Sequence, residues 1–200
     1  MNYALICLVG DENTQRIERS ARAFAKRFPP QSDILSPQPS FDEVHRTVNE
    51  GNALLTGHNG SGNLRTTSQG VAWANASQFA SMFQGSRVYV YACNTLGEGG
   101  LESLSSFGQE AVQQGVSCFA GHCVVVPTDN QSSQIDQVLH ALWQAFLEGE
   151  NDQESLQKVG WMAFRAGQRH RSSGKNLLSK APLLNKALSA ALHGLRVLSR

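Results

Sequence analysis

A histidine and a cysteine, each directly behind a short apolar run, form the most chemically suggestive pair in this chain. His58 stands in the loop Gly57 to Gly62 (GHNGSG) after Ala53 to Thr56, and Cys93 follows Ala92 behind Arg87 to Tyr91 (RVYVY). A thiol attacks a carbonyl as its thiolate, and a nearby imidazole assists by favouring that thiolate or by protonating the leaving amine. The two residues lie 35 positions apart, from 58 to 93, which is room for one helix and one strand. Adjacent parallel strands would then deliver both side chains to one cleft. Gly57, Gly60 and Gly62 leave space for a substrate backbone and can turn N–H groups toward a developing oxyanion. Alone, Cys93 reads as a buried strand-end cysteine and His58 as a loop histidine held by backbone groups. Each becomes a functional candidate only through the other.

The elements that must position this pair are legible as alternating strands and helices. Tyr3 to Val9 is a β-rich apolar run ended by Gly10-Asp11, with Asp11 placed to cap the next helix. From Glu12 to Phe28, Ile17, Ala21, Phe24, Ala25 and Phe28 recur at helical spacing, and Pro29-Pro30 stops the pattern. Asp33 to Leu35 reads as a weak strand. Ser40 and Glu43 form a capping box that opens a helix through Asn49, and Ala53 to Thr56 is a third strand. Asn63 to Trp73 reads as a small hairpin, Asn75 to Phe83 as a helix and Arg87 to Tyr91 as the clearest strand. Leu101 to Gln114 reads as a helix closed by Gly115, and Ser117 to Ala120 as a strand extendable through Val126. Ile135 to Leu147 and Leu156 to Ala166 are amphipathic helices. Gln168 to Lys175 reads as a loop, and Leu177 to Leu198 as a last, basic amphipathic helix. Strands alternating with helices imply a mostly parallel sheet covered on both faces, with the active site beyond the carboxyl ends of its strands.

Composition narrows the function classes. Seventeen Lys and Arg against sixteen Asp and Glu give a formal charge of +1, without the basic excess that binds a phosphate backbone, so nucleic acid is not expected as a partner. No stretch approaches the roughly 18–20 apolar residues of a membrane span. The run Tyr3 to Gly10 has no preceding basic residue and is too short for a signal peptide, so a cytoplasmic address is expected. The four cysteines form no CxxC pair and read as reduced thiols, with Cys7, Cys118 and Cys123 packed in apolar runs. Cys118, His122 and Cys123 lack a second ligand pair at zinc-site spacing, so no zinc is expected there, and thiol attack on a carbonyl requires neither metal nor organic cofactor. Trp73, Trp143 and Trp161 read as core or cleft wall.

Three segments occur in fixed order: ALLTGHNGSG, then VYVYACNTLG, then GVSCFAGHCVVVPTDN. From about Tyr3 to Leu147 the chain resembles the caspase-like cysteine peptidases of the caspase-hemoglobinase fold (clan CD). The likeness is strongest to the bacterial CHAT domains and to their relatives among separases and self-cleaving toxin proteases. The resemblance implies a caspase-like three-layer α/β sandwich, with residues 1–170 as the peptidase domain and 171–200 as a loop and amphipathic helix packed on it. It implies that Cys93 is the nucleophile and His58 the catalytic base and acid, with the N–H groups of Gly60 and Cys93 as the oxyanion hole. Asp129, after Pro127-Thr128, resembles an acidic residue that recognises a basic P1 side chain; it serves equally as a cap for a helix beginning near Asn130. The expected activity is endopeptidase cleavage of a protein substrate. Any sensor or activator would be a separate polypeptide. The family usually places Gly directly after the His, whereas Asn59 intervenes here. That departure motivates the alternative of a catalytically silent protein-interaction module, and a different Cys-dependent hydrolase or acyltransferase stands third.

Overall fold

The structure, a computed structural model, describes residues 2–48, 50–98, 101–102, 106–128, 133–172 and 181–200. Strand β1 (Tyr3–Cys7) is buried throughout, and Asp11 behind it caps α1 (Glu12–Arg27). Helix α2 (Phe41–Val48) follows, then β2 (Asn52–Thr56). The antiparallel strands β3 (His58–Gly60), β4 (Asn63–Arg65) and β5 (Ala72–Asn75) form a separate small sheet ahead of α3 (Ala76–Met82). After β6 (Arg87–Tyr91), the short strands β7 (Gly97–Glu98) and β8 (Leu101–Glu102) pair with each other. Helix α4 (Phe107–Gln113) leads into β9 (Cys118–His122). Helices α5 (Ser133–Leu147), α6 (Gln153–Ser172) and α7 (Ala181–His193) precede the last strand, β10 (Leu195–Ser199).

The main sheet runs β1-β2-β6-β9-β10, with the first four strands parallel and β10 antiparallel to β9. Successive side chains of a strand face opposite sides, and the core divides accordingly. Tyr3, Leu5 and Cys7 pack with Ile17 and Phe24 of α1, Trp143 of α5 and Leu188 of α7. Ala4, Ile6 and Leu8 pack with Val44 of α2, Phe79 of α3 and Phe107 of α4. Helices therefore cover both faces, giving three layers. Among the described residues, no helix is long and apolar enough to cross a membrane.

This topology fixes where a site can form. Leu35 joins the free side of β1 through a single parallel bridge to Ile6, its N–H donating to Leu5 and its carbonyl accepting from Cys7. The chain leaves β1 over one face through α1, reaches Leu35, and returns over the other face through α2 to enter β2 on the opposite side of β1. Connections that diverge in this way open a crevice at the carboxyl ends of the two strands. In the sheet register Cys7, Thr56 and Tyr91 lie side by side, so the ends of β1, β2 and β6 form one edge.

Several elements depart from the sequence expectations. The segment around His58 is not an open loop but a strand, joined to β4 by Ser61 and Gly62 at φ 53° and 71°. Two successive positive φ values make a two-residue turn whose twist suits a hairpin. Asp33 to Leu35 contributes one bridge rather than a strand. Helix α4 starts at Phe107, not Leu101, because the Ser106 hydroxyl caps it through the Gln109 N–H, and Leu101–Glu102 pairs as β8. Residues 168–172, expected as loop, continue α6. The expected terminal helix stops at His193, and Leu195–Ser199 becomes β10. A Cβ on Gly194 would lie 2.7 Å from Val124, so the chain turns there against the end of β9. Leu195 and Val197 then face one core and Leu198 the other.

His122 gives this core a pH dependence. The carbonyl of Ala191 can only accept, so His122 Nδ1–H donates to it at 3.0 Å and Nε2 is left to accept the Tyr89 hydroxyl at 3.2 Å. Burial pulls the His122 pKa down to about 4, partly offset by the Ala191 bond. An unfolded histidine binds its proton near pH 6.5, so between about 6.5 and 4 the unfolded chain holds the extra proton. Stability from this group is full above that window and is lost as pH falls through it. The expected loss is on the order of 3 kcal/mol between pH 7 and pH 4. Urea unfolding of wild type and His122→Gln at several pH values checks this: the variant is expected to show the shallower dependence.

Candidate active site

Three stretches of chain leave the common edge of β1, β2 and β6, and each brings one group capable of chemistry. Asp11 lies four residues beyond β1, His58 two beyond β2 and Cys93 two beyond β6. His58 Nε2 is 2.8 Å from Asp11 Oδ2. The other carboxylate oxygen, Oδ1, accepts the Thr14 N–H at 2.9 Å, while the Thr14 hydroxyl accepts from the Asp11 N–H at 3.1 Å. Asp11 thus completes the capping box of α1 with one oxygen and holds His58 with the other. Burial pushes the Asp11 carboxyl up, but the Thr14 bonds and the His58 ring outweigh it and hold the group below the usual carboxylate range. An ionised carboxylate can only accept, so Nε2 carries the ring proton and Nδ1 of the neutral ring keeps its lone pair.

Cys93 and His58 line the same cavity, which encloses about 140 Å³. The first turns of α1 supply one wall through Asn13, Thr14 and Ile17. Gly57 and Tyr91 lie at the sheet edge, and Val125, Val126 and Thr128 line the cavity from the chain after β9. Burial pushes the Cys93 thiol up, while the backbone N–H groups of Val126 and of Cys93 itself pull it back toward ionisation. Burial thus outweighs the two N–H groups that face the sulfur, and the thiol sits above its ordinary ionisation range.

Asn59 ties strand β3, which carries His58, to the turn after Cys93. Its side-chain amide donates to the carbonyl of Asn94 at 3.2 Å, and the Asn94 N–H donates to Val124 at 3.1 Å. Asn94 sits at φ 51°, in the left-handed region that asparagine tolerates better than most residues. The turn directly after Cys93 is thus held from both sides, and the residue that separates His58 from Gly60 in sequence is one of its clamps.

Of the sequence-derived site residues, the structure brings His58 and Cys93 together. Gly60 pairs with Asn63 in the small sheet and does not line the cavity, so the N–H groups on the sulfur are those of Cys93 and Val126. Asp129 lies outside the described residues. Cys7 and Cys118 are buried, with their thiols pushed up by that burial, and Cys123 is buried with its thiol on the Gly194 carbonyl. Among the described residues, no group of three or more His, Cys, Asp or Glu side chains is placed to hold a metal ion. Asp11 reads only as a helix cap in the sequence and is the residue that the structure adds beside His58; its position just past β1, on the edge that also carries His58, is the signal that points to it. In comparisons with known proteins, no family model matches the chain and no curated protein matches it.

Proposed function

We propose that the protein is a caspase-like cysteine endopeptidase acting through Cys93, His58 and Asp11. The observation that carries this reading is one cavity, at the carboxyl edge of a parallel sheet, lined by a thiol and by an imidazole whose Nε2 is held by a carboxylate. As the Cys93 sulfur adds to a peptide carbonyl, its proton passes to His58 Nδ1. The carbonyl oxygen becomes an oxyanion, and the N–H groups of Cys93 and Val126 are the donors nearest the reacting sulfur. His58 then gives the proton to the departing amine, leaving a thioester on Cys93. Water, deprotonated by His58, attacks the thioester and returns the free thiol with a carboxylic acid product. Asp11 keeps the ring in the tautomer that this sequence needs and stabilises the imidazolium that forms. Cysteines carried as thiols, Cys93 among them, fit a reducing compartment such as the cytoplasm.

The test is digestion of a mixed peptide library read by mass spectrometry. Wild type is expected to generate new termini at defined positions, and a library left intact by well-folded protein would count against the reading. A second reading, a silent interaction module on the same fold, is favoured by the thiol's raised pKa and by the placement of Gly60 outside the cavity. It predicts a partner complex that survives Cys93→Ala and His58→Ala, with no new termini.

A further inference from the structure

Tyr91 joins the histidine side of the site to the side that offers N–H groups to the sulfur. It ends β6, and its carbonyl accepts the N–H of Gly57, directly before His58, at 3.3 Å. The residue is 4 % exposed, with its ring edge-on to His122 at 5.7 Å. Its hydroxyl donates to the carbonyl of Pro127 at 2.8 Å. That bond lies one residue beyond Val126, whose N–H faces the Cys93 sulfur.

Residues 123–128 belong to no helix or strand, so the course of this stretch past the sulfur depends on individual anchors. Two of them bracket Val126: the Asn94 N–H donates to the Val124 carbonyl at 3.1 Å, and the Tyr91 hydroxyl holds the Pro127 carbonyl. Between the anchors, Val125 is 68 % exposed. A proline ring fixes its own φ and keeps the residue before it extended, so the position of the Pro127 carbonyl is passed on to the Val126 peptide. The charged and titratable groups around the ring and the sulfur are engaged with one another. Arg16 of α1 pairs with Asp136 of α5 at 3.0 Å, His58 with Asp11 at 2.8 Å, and the His122 ring bonds to Ala191 and Tyr89. A neutral hydroxyl adds no charge to this set, so its effect on the sulfur passes through the backbone.

We propose that Tyr91 is a positioning residue for Cys93, its hydroxyl holding the Pro127 carbonyl so that the Val126 N–H is aimed at the sulfur. A hydrogen bond to the charged form of a group favours that form, so the aimed N–H stabilises the thiolate against the burial that opposes it. The consequence for cleavage rests on the cysteine-peptidase reading; the effect on the sulfur does not.

The experiment reacts iodoacetamide, small and uncharged, with wild type, Tyr91→Phe and Tyr3→Phe over a range of pH, and follows modification of Cys93 by peptide mapping. Tyr3 is the control: it is buried at the opposite end of β1 from the site, and its hydroxyl likewise donates to a backbone carbonyl, that of Phe28, at 2.6 Å. Tyr91→Phe is expected to slow modification about three- to tenfold near neutral pH, with the gap narrowing as rising pH ionises the thiol in both proteins. Tyr3→Phe is expected to follow wild type. On a peptide that wild type cleaves, Tyr91→Phe is expected to lower kcat with KM nearly unchanged. A Tyr91→Phe profile that matches wild type, or a slowing shared equally by Tyr3→Phe, overturns the proposal. A wild type that cleaves no peptide overturns the peptidase reading instead, and the alkylation profiles still decide on Tyr91. If Tyr91→Phe does not fold, Pro127→Ala, which frees the same segment without altering the sheet, is read in the same way, and an unchanged profile overturns the proposal.

Discussion

Cys93→Ala is expected to reduce peptide cleavage to background, a loss of about four orders of magnitude or more, with little change in stability. The sulfur supplies the bonding electrons for the covalent step, and no other thiol is placed to replace it. Cys7, Cys118 and Cys123 are buried, whereas Cys93 alone among the cysteines is partly exposed and lines the cavity. Removing one sulfur from a half-buried position leaves the two cores on either side of the sheet intact. Thermal melts of wild type and variant are therefore expected to agree within a few degrees, and a joint loss of activity and fold would make the kinetic result uninformative about chemistry. Cleavage at the wild-type rate by Cys93→Ala would remove the nucleophile from the account altogether.

The second large effect separates the two tasks of Asp11. Asp11→Asn preserves helix capping, since asparagine caps as well as aspartate, but its amide cannot hold the imidazole in the required tautomer. Cleavage is expected to fall by about ten- to a thousandfold with stability nearly unchanged. Asp11→Ala loses the cap as well and should cost about 1 kcal/mol of stability in addition. His58→Ala is expected to lose about 10²- to 10⁴-fold. If Asp11 acts through His58, adding Asp11→Asn to His58→Ala costs nothing further, because groups that act as a unit are not additive. Independent, multiplicative losses in the double variant would show that Asp11 serves the fold rather than the histidine.

What could be read from the sequence follows from how local each signal is. The strand Arg87–Tyr91 and helix α1 carry their own boundaries: an apolar run ending at a small residue, and an Asp cap answered by a Pro-Pro stop. Placing Cys93 and His58 on one edge followed from those elements and from parallel pairing. The tail misled because Leu188, Leu192 and Leu195 continue a helical spacing, while the pairing that makes Leu195–Ser199 a strand is with β9, more than seventy residues earlier. The β4–β5 hairpin of the small sheet is legible, but its third strand, β3, is obscured by the glycines around it, which read as an open loop until Ser61 and Gly62 are seen to close a tight turn. Asp11 satisfies the local capping rule with one oxygen, so nothing local in the sequence points to the second. Its bond to His58 spans 47 positions and depends on β1 and β2 lying side by side. The clamp from Asn59 to Asn94 is tertiary in the same sense.

The most direct single measurement is peptide mapping after a brief exposure to an equimolar mixture of peptidyl chloromethyl ketones, run in parallel on wild type and His58→Ala. The account predicts one adduct on Cys93 in wild type and a rate lower by about a hundredfold or more without the imidazole. Slow modification spread over several cysteines, indifferent to His58, would contradict it.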